Sequence, residues 1–145
     1  MHAEMSFTNV YQPVVPMRSL PRALVPKPLI LCVEDEEPQL RLRTMVLERE
    51  GYCVLGAATA EEALETFREA PVCLVLADHM LRGKTGLWLA GEMKKEKPDV
   101  PIVLYSGHQP ESLRHVDCFI SKGEPLAAFL SVIRGVLRRY FGVAA

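Results

Sequence analysis

The most constraining feature of the sequence is an apolar run, residues 72–77, that ends abruptly in a carboxylate, Asp78. Pro71 precedes the run, and the loop that follows it contains Gly83 and Gly86. A continuous apolar run of this length between turn residues predicts a strand buried on both faces, as in a parallel sheet. Asp78 would then lie at the carboxyl end of a central strand, where open α/β sheets bind their ligands. Aspartate is also common where strands turn, so Asp78 alone leaves both interpretations open.

A second segment has the same pattern. Residues 29–33 are apolar and run directly into four acidic residues, Glu34, Asp35, Glu36 and Glu37. Because the carboxyl ends of parallel strands meet at one edge of the sheet, two such strands deliver several carboxylates to the same place. This pairing favours a functional site over a simple turn.

The rest of the chain alternates between predicted strands and helices. Strands are expected near residues 29–33, 52–57, 72–78, 102–105 and 118–121, and helices at 38–50, after Thr59, from 85 or 86 to about 97, and from 125 onward. Leu40, Met45, Val46 and Leu47 are expected to form the apolar face of the first helix. Residues 108–117 are too few and too weakly patterned for a full helix, so one helix is expected to be short or missing. The alternation predicts an α/β fold with a flavodoxin-like, doubly wound sheet of five parallel strands in the order 2-1-3-4-5.

Length and composition exclude several classes of protein. The 145 residues suit one folded domain, expected over residues 28–142. A net charge of −1 and the lack of a long basic run argue against direct nucleic-acid binding. No apolar stretch approaches the roughly 20 residues of a membrane span, and no secretory signal is recognisable. Four widely spaced cysteines, which are Cys32, Cys53, Cys73 and Cys118, indicate buried free thiols and a cytoplasmic location.

The first 27 residues differ from the rest of the chain. They contain four prolines and no sustained periodicity, which predicts a flexible N-terminal extension. Met1, Met5 and Met17 are all candidates for the translation start.

Five polar side chains are expected to converge at the carboxyl edge of this sheet. Glu34, Asp35 and Asp78 follow strands one and three, and Ser106 and Lys122 follow strands four and five. Two carboxylates about 4 Å apart repel by about 4 kcal/mol at an effective dielectric constant of 20, so a cation is needed. Lys122 can supply part of that charge, and Mg²⁺, a hard ion with oxygen ligands, suits the rest.

The same arrangement suits an aspartyl phosphate. Asp78 would be the nucleophile, and Mg²⁺ would stabilise the charge of the transferred group. The Ser106 hydroxyl and the Lys122 ammonium would each hold a phosphoryl oxygen.

Together these motifs resemble one known family. Residues 31–36, residues 74–78 with Gly86 eight positions on, residues 105–107 and residues 120–122 resemble the response-regulator receiver domain of two-component signalling, over about residues 29–140. The resemblance implies that Asp78 accepts a phosphoryl group from a sensor histidine kinase or a phosphotransfer protein in a phosphorelay. It further implies that Asp35 binds Mg²⁺ directly, Glu34 binds it through water, and Met80 adds its backbone carbonyl.

The resemblance also implies a switch and a partner. Ser106 would move toward the phosphate, and the aromatic Phe119 would turn inward. Such a protein is not an enzyme but a phosphoacceptor with at most slow self-dephosphorylation. Few residues follow the last helix, so we expect no attached output domain and a separate downstream output protein.

Four departures from the family pattern are visible. Glu34 replaces the usual aspartate, Arg82 replaces a usual proline, and Gly123 replaces a proline whose peptide bond is usually cis. In addition, the segment between Ser106 and Phe119 is about half a dozen residues short, at a face that commonly carries dimer and partner contacts in the family. The oligomeric state is therefore left open.

Three other functions remain to be weighed. A degenerate receiver would keep the fold and act, without phosphorylation, as a protein-interaction module. An aspartate-dependent phosphatase or phosphotransferase for small molecules would usually have a second acid two residues after the nucleophile, where this chain has Met80. A flavodoxin-like cofactor binder would need a loop rich in glycine and hydroxyls after strand one, where residues 34–37 would instead repel a phosphate.

Overall fold

The computed structural model describes residues 27–141. The N-terminal extension and the choice among Met1, Met5 and Met17 lie outside the described residues. They stay predictions.

The architecture consists of one parallel sheet with helices on both faces. Its strands are β1 (Leu29–Val33), β2 (Cys53–Ala57), β3 (Leu74–Ala77), β4 (Ile102–Ser106) and β5 (Cys118–Ser121). All neighbouring strands are parallel, and their order is β2-β1-β3-β4-β5. The predicted flavodoxin-like order is confirmed.

The register of the strands brings their carboxyl ends to the same edge of the sheet, where β4 and β5 run two residues further than β1 and β3. Val33 pairs with Ala77 across β1 and β3, and Ala77 pairs with Leu104 across β3 and β4. Ser106, at the end of β4, pairs with Ser121 at the end of β5. The residues that follow these strands therefore meet at a single edge of the sheet.

The helices are α1 (Glu37–Arg49), α2 (Ala60–Glu69), α3 (Gly86–Glu96) and α4 (Leu126–Phe141). Local sequence explains where they begin. Pro38 lies in the first turn of α1, where its missing N–H is not needed. The Thr59 hydroxyl accepts a hydrogen bond from the Glu62 N–H at 3.0 Å, and Glu62 accepts one from the Ala58 N–H at 2.8 Å. Thr85 caps α3 in the same way, through the Trp88 N–H at 3.0 Å.

Two apolar layers, one on each face of the sheet, form the core. The layer under α2 and α3 includes the buried side chains of Phe67, Leu89 and Met93. The layer under α1 and α4 includes those of Leu47, Ile133 and Leu137. Within the described residues, no helix is long and apolar enough to cross a membrane.

The inward face of α1 differs from the expected one. Leu47 is buried, and Leu40 and Val46 pack partly against the core, but Met45 is 55% exposed. The prediction that Met45 lies on the apolar face was therefore wrong. Arg43 lies on that face instead, because it is three residues after Leu40 and four residues before Leu47. Arg43 is only 6% exposed.

The connection between β4 and β5 contains no helix in the part of the chain described. Residues 107–117 form bends and a turn, in which His115 adopts a positive φ of 68°. The expectation that one helix of the alternation is short or missing agrees with this connection. The described residues also contain no cis peptide bond, Gly123 included.

Candidate functional site

An open cavity of about 420 Å³ lies at the carboxyl edge of the sheet. Its walls carry acidic, basic and hydroxyl groups, and six of the seven predicted site residues line it: Glu34, Asp35, Asp78, Met80, Ser106 and Lys122. The seventh, Phe119, does not line the cavity and instead packs, partly buried, against the layer under α2 and α3. The roles proposed for these residues in chemistry stay predictions, but the fold brings six of them together.

Asp78 is held by backbone groups of β1 and of the loop that follows β3. Its N–H donates to the Val33 carbonyl at 3.0 Å, and its Oδ1 accepts a hydrogen bond from the Met80 N–H at 3.0 Å. The loop after it folds back, so that the Gly86 N–H donates to the His79 carbonyl at 2.7 Å. A Cβ on Gly86 would lie 2.5 Å from the Asp78 carbonyl oxygen. The close packing of this loop therefore requires glycine at position 86.

Lys122 is the direct partner of Asp78. Its Nζ lies 2.5 Å from Asp78 Oδ2, and its own N–H donates to the Ser106 carbonyl at 2.9 Å, which fixes the start of the loop after β5. Burial pushes the pKa of Asp78 upward, but the hydrogen bonds from Lys122 and the Met80 N–H outweigh it and hold the pKa below its ordinary value. Asp78 is therefore an ionised carboxylate at neutral pH, the form that a nucleophile requires.

Glu34 has a partner that the sequence analysis missed. The Arg43 Nη1 lies 2.5 Å from Glu34 Oε1, and the Glu36 N–H donates to Glu34 Oε2 at 3.2 Å. Lys122 Nζ is also within 3.7 Å of Glu34 Oε1. Burial and the neighbouring Asp78 carboxyl raise the pKa of the Glu34 carboxyl, and the hydrogen bonds from the Glu36 N–H and Arg43 oppose that rise. Both side chains of the Arg43–Glu34 pair are almost fully buried.

The aromatic ring of Tyr105 supports the Arg43 guanidinium. The Cζ atom of Arg43 lies 4.6 Å from the centroid of that ring, and Tyr105 in turn packs on Phe129 with ring centroids 5.0 Å apart. The signal for Arg43 was present in the sequence, since a charged residue at an inward position of an amphipathic helix needs a buried partner. It was overlooked because the apolar face of α1 was assigned to Met45.

Asp35 and Ser106 complete the lining. Asp35 Oδ2 lies 3.5 Å from the Nε of Arg82, whose side chain is exposed to solvent, so this ion pair is weak. The Ser106 Oγ is buried and accepts a hydrogen bond from the His108 N–H at 3.3 Å. Its hydroxyl proton remains free to be donated toward a ligand.

The side chains of the cavity fit Mg²⁺, with fewer carboxylate ligands than the sequence analysis predicts. Across residues 27–141, no group of three acidic, histidine or cysteine side chains lies close enough together to hold a metal ion. Mg²⁺ nevertheless needs only one or two carboxylates, because it keeps several of its waters. Asp35, Asp78 and Met80 line one cavity, and they can offer two carboxylates and a backbone carbonyl as oxygen donors of that kind. The sequence analysis expects Mg²⁺ and Lys122 to offset the mutual repulsion of the acids. In the structure, Lys122 and Arg43 offset the charges of Asp78 and Glu34.

Comparison with known proteins agrees with this geometry. Residues 30–121 match the family model of the response regulator receiver domain. The chain is 29% identical over 118 residues to the response regulator RR06 of Streptococcus pneumoniae, an alignment that covers 77% of this chain and 54% of that protein. The chain spans about half the length of the curated relatives it matches.

Solved structures show the same fold. A CheY-like receiver domain protein from Methanospirillum hungatei superposes with a TM-score of 0.75 at 28% identity, covering 79% of this chain and 97% of that one. The response regulator TrrA from Thermotoga maritima, solved in complex with Mg(2+)-BeF, superposes with a TM-score of 0.71 at 29% identity, covering 75% and 98%. The sequence motifs, the strand order and these similarities agree, and the chain belongs to the response regulator receiver family of two-component systems.

Proposed function

We propose that this protein accepts a phosphoryl group on Asp78 from a sensor histidine kinase or a phosphotransfer protein, as one step of a phosphorelay. The observation that carries the proposal is the contact between Lys122 and the ionised Asp78 at the edge of an open cavity, beside the buried Ser106 hydroxyl. A carboxylate nucleophile, an ammonium and a hydroxyl donor are the groups that an aspartyl phosphate needs around it.

In the proposed reaction, an oxygen of Asp78 attacks the phosphorus of a phosphohistidine. The new P–O bond forms as the P–N bond breaks, and the imidazole nitrogen of the donor keeps the electron pair. Lys122 then pairs with a phosphoryl oxygen instead of Asp78 Oδ2, and Ser106 donates its hydroxyl proton to another. Both groups would stabilise the negative charge of the phosphoryl group.

Mg²⁺ is the proposed cofactor. Asp35, Asp78 and the Met80 carbonyl would bind it directly, whereas Glu34, to which the family resemblance gives a water-mediated role, is paired with Arg43. When bound, the ion supplies electrostatic stabilisation of the charge on the transferred group. The related TrrA was solved with Mg(2+)-BeF, which supports the choice of ion.

The chain is proposed to be a phosphoacceptor with at most slow self-dephosphorylation, not an enzyme for small molecules. Met80, which lies where such enzymes have a second acid, presents a thioether that is 63% exposed and cannot exchange protons. The signal would pass, through a switch at Ser106 and Phe119, to a downstream protein. Free thiols at the four cysteines suit the proposed cytoplasmic location.

One observation favours a second candidate, a receiver that acts unphosphorylated as an interaction module. Arg43 and Lys122 already neutralise Glu34 and Asp78 inside the cavity, so this fold does not depend on a metal ion to relieve their repulsion. Such a module would bind its partner without either phosphate or Mg²⁺.

Intact-mass spectrometry separates these candidates. The wild type, Asp78→Asn and the matched control Asp99→Asn, which alters an exposed aspartate outside the cavity, are incubated with phosphoramidate or acetyl phosphate, with and without Mg²⁺. A Mg²⁺-dependent gain of one phosphoryl group in the wild type and in Asp99→Asn, absent in Asp78→Asn, is the expected result. No gain with any donor would contradict phosphorylation and favour the interaction module.

A further inference from the structure

Arg43 is a buried cation behind the wall of the cavity, and the proposed phosphoryl transfer does not use it. It belongs to α1, and 6% of its surface is exposed. A guanidinium at such a position is retained only when its charge is paired and its donors are satisfied. The nearest acceptor is Glu34, at 2.5 Å from Nη1.

Both oxygens of the Glu34 carboxylate have partners in this arrangement. Oε1 faces Arg43 and, at 3.7 Å, Lys122, while Oε2 accepts from the Glu36 N–H. A carboxylate already paired with a buried guanidinium is less attracted to a divalent ion, because the positive charge beside it offsets its own and the pairing fixes its orientation. Asp35 is different, because its nearest cation, Arg82, is solvent-exposed and 3.5 Å away.

The position of Arg43 is itself fixed by packing. Its guanidinium stacks on the Tyr105 ring at 4.6 Å, and that ring rests against Phe129. A planar guanidinium held between an aromatic face and a carboxylate cannot swing toward solvent without losing both contacts. Arg43 is therefore held where it fixes the orientation of the Glu34 carboxylate.

We propose that Arg43 is a positioning residue that withdraws Glu34 from the divalent-ion site and thereby lowers the affinity of the cavity for Mg²⁺. This inference rests on the proposed function, because it concerns the ion that the phosphoacceptor site uses. Asp35 and Asp78 are then the carboxylates that set the affinity. The cavity also stays ordered without an ion, because Glu34 and Asp78 each have an internal cationic partner.

The test is isothermal titration calorimetry, in which each folded variant is titrated with Mg²⁺ alone. Arg43→Gln removes the buried cation and releases Glu34, so Mg²⁺ should bind about tenfold more tightly than to the wild type. Arg41→Gln is the matched control, since Arg41 lies on the same helix but forms an exposed pair with Glu37 at 2.8 Å. Its affinity for Mg²⁺ should change by less than about twofold. A merely structural role for Arg43 would weaken binding or leave it unchanged.

A double-mutant cycle shows whether Arg43 acts through Glu34. In the Glu34→Gln background, the gain from Arg43→Gln should shrink to about twofold or less, because the released acid is no longer there. Equal gains in both backgrounds would mean that Arg43 acts only as a nearby charge. That result, or no tightening in Arg43→Gln, would overturn the proposal.

If Arg43→Gln does not fold, the double variant Glu34→Gln/Arg43→Met still decides the question. It leaves no unpaired buried charge, so it should fold. Its Mg²⁺ affinity should stay within about threefold of the wild type, because Glu34 was already neutralised. A loss greater than about tenfold would show that Glu34 serves the ion despite Arg43, and would overturn the inference.

Failure of the proposed function is visible separately. If the wild type binds Mg²⁺ as expected but is not phosphorylated by any donor, phosphoryl transfer is wrong and the role of Arg43 stands. If neither the wild type nor Arg43→Gln binds Mg²⁺, the inference about Arg43 is wrong, whatever the phosphorylation result.

Discussion

Lys122 Nζ lies 2.5 Å from Asp78 Oδ2, yet the two partners differ in their access to water: the lysine side chain is 32% exposed and the aspartate side chain 6%. Deleting one partner therefore does not have the same consequence as deleting the other. An unpaired lysine here can turn toward solvent or toward Glu34, 3.7 Å away. An unpaired Asp78 carboxylate would stay buried, with little access to water.

The first prediction follows from this asymmetry. Lys122→Met should lower the free energy of unfolding by about 1–3 kcal/mol, because it leaves a buried carboxylate without its cation. Asp78→Asn should change it by less than about 1 kcal/mol. Urea denaturation of both variants in EDTA measures the difference. Mg²⁺ should then restore more stability to Lys122→Met than to Asp78→Asn, because the ion can replace the missing positive charge. Equal losses in EDTA would contradict the argument.

The second prediction concerns Gly86, whose position at the start of α3 leaves no space for a side chain. A Cβ there would lie 2.5 Å from the Asp78 carbonyl oxygen and 2.7 Å from Leu104 Cδ2. Gly86→Ala should destabilise the protein by about 1–3 kcal/mol, since backbone atoms must move. The control is Gly135→Ala in α4, where a Cβ would meet nothing within 4 Å. That change should stabilise the protein by about 0.5–1 kcal/mol, and thermal or urea unfolding that shows the same sign for both variants would contradict the packing argument.

The third prediction is a pH dependence at Asp117, away from the cavity. Its carboxylate accepts hydrogen bonds from Lys94 Nζ at 2.8 Å, the Tyr140 hydroxyl at 2.7 Å and the Ile102 N–H at 2.7 Å. Partial burial pushes the pKa of Asp117 upward, but these donors outweigh it and hold the pKa below its ordinary value. A group with a lowered pKa in the fold stabilises the protein above its unfolded pKa of about 4, and that contribution disappears as the pH falls through the folded pKa.

Asp117→Asn should therefore lower the free energy of unfolding by about 1 kcal/mol at pH 7, a figure kept small because the site is reached by solvent. The deficit should shrink as the pH falls below about 4, where the wild-type carboxylate is also lost. Urea titrations from pH 7 to pH 3 measure this, with Asp99→Asn as an exposed control that shows no such trend. A deficit that stayed constant with pH would argue against a charged role.

The fourth prediction concerns the cysteines. Cys32 in β1 is fully buried, and burial raises the pKa of its thiol to about 12, whereas Cys53 at the start of β2 is exposed. Because the thiolate is the reactive form, iodoacetamide at pH 8 should alkylate Cys53 in the native protein and leave Cys32 unmodified until urea unfolds the chain. Peptide mapping by mass spectrometry shows which of the two cysteines is alkylated first. Rapid native alkylation of Cys32 would mean that β1 opens far more readily than its packing implies.

Much of the fold was predictable because local patterns carry it. The apolar run before Asp78 and the helix after Thr59 follow from propensity and periodicity, and the structure contains the elements they predict. The strand order followed from alternation and crossover handedness, and is confirmed. Convergence of Glu34, Asp78, Ser106 and Lys122 on one cavity was predictable for the same reason, since each follows a strand that ends at the same edge.

Less of the site could be predicted, because charge pairing depends on contacts between distant segments. Nothing in the sequence near Glu34 says that its carboxylate meets a residue nine positions later on an inward helix face. Phe119, to which the family resemblance gives a switching role, packs partly buried under α2 and α3, and that role stays a prediction. The sequence around a residue does not specify whether its side chain reaches a cavity wall.

By itself, the sequence determined the strands, the helices and the edge of the sheet to which the acidic residues are delivered, because these depend on periodicity and chain order. Only the tertiary structure decided which cation neutralises which acid. Arg43 meets Glu34 because α1 packs against β1 and β2, and Lys122 meets Asp78 because β4 and β5 run two residues past the end of β3 at the same edge of the sheet. Coulomb energies depend on distance and burial, and both are set by packing.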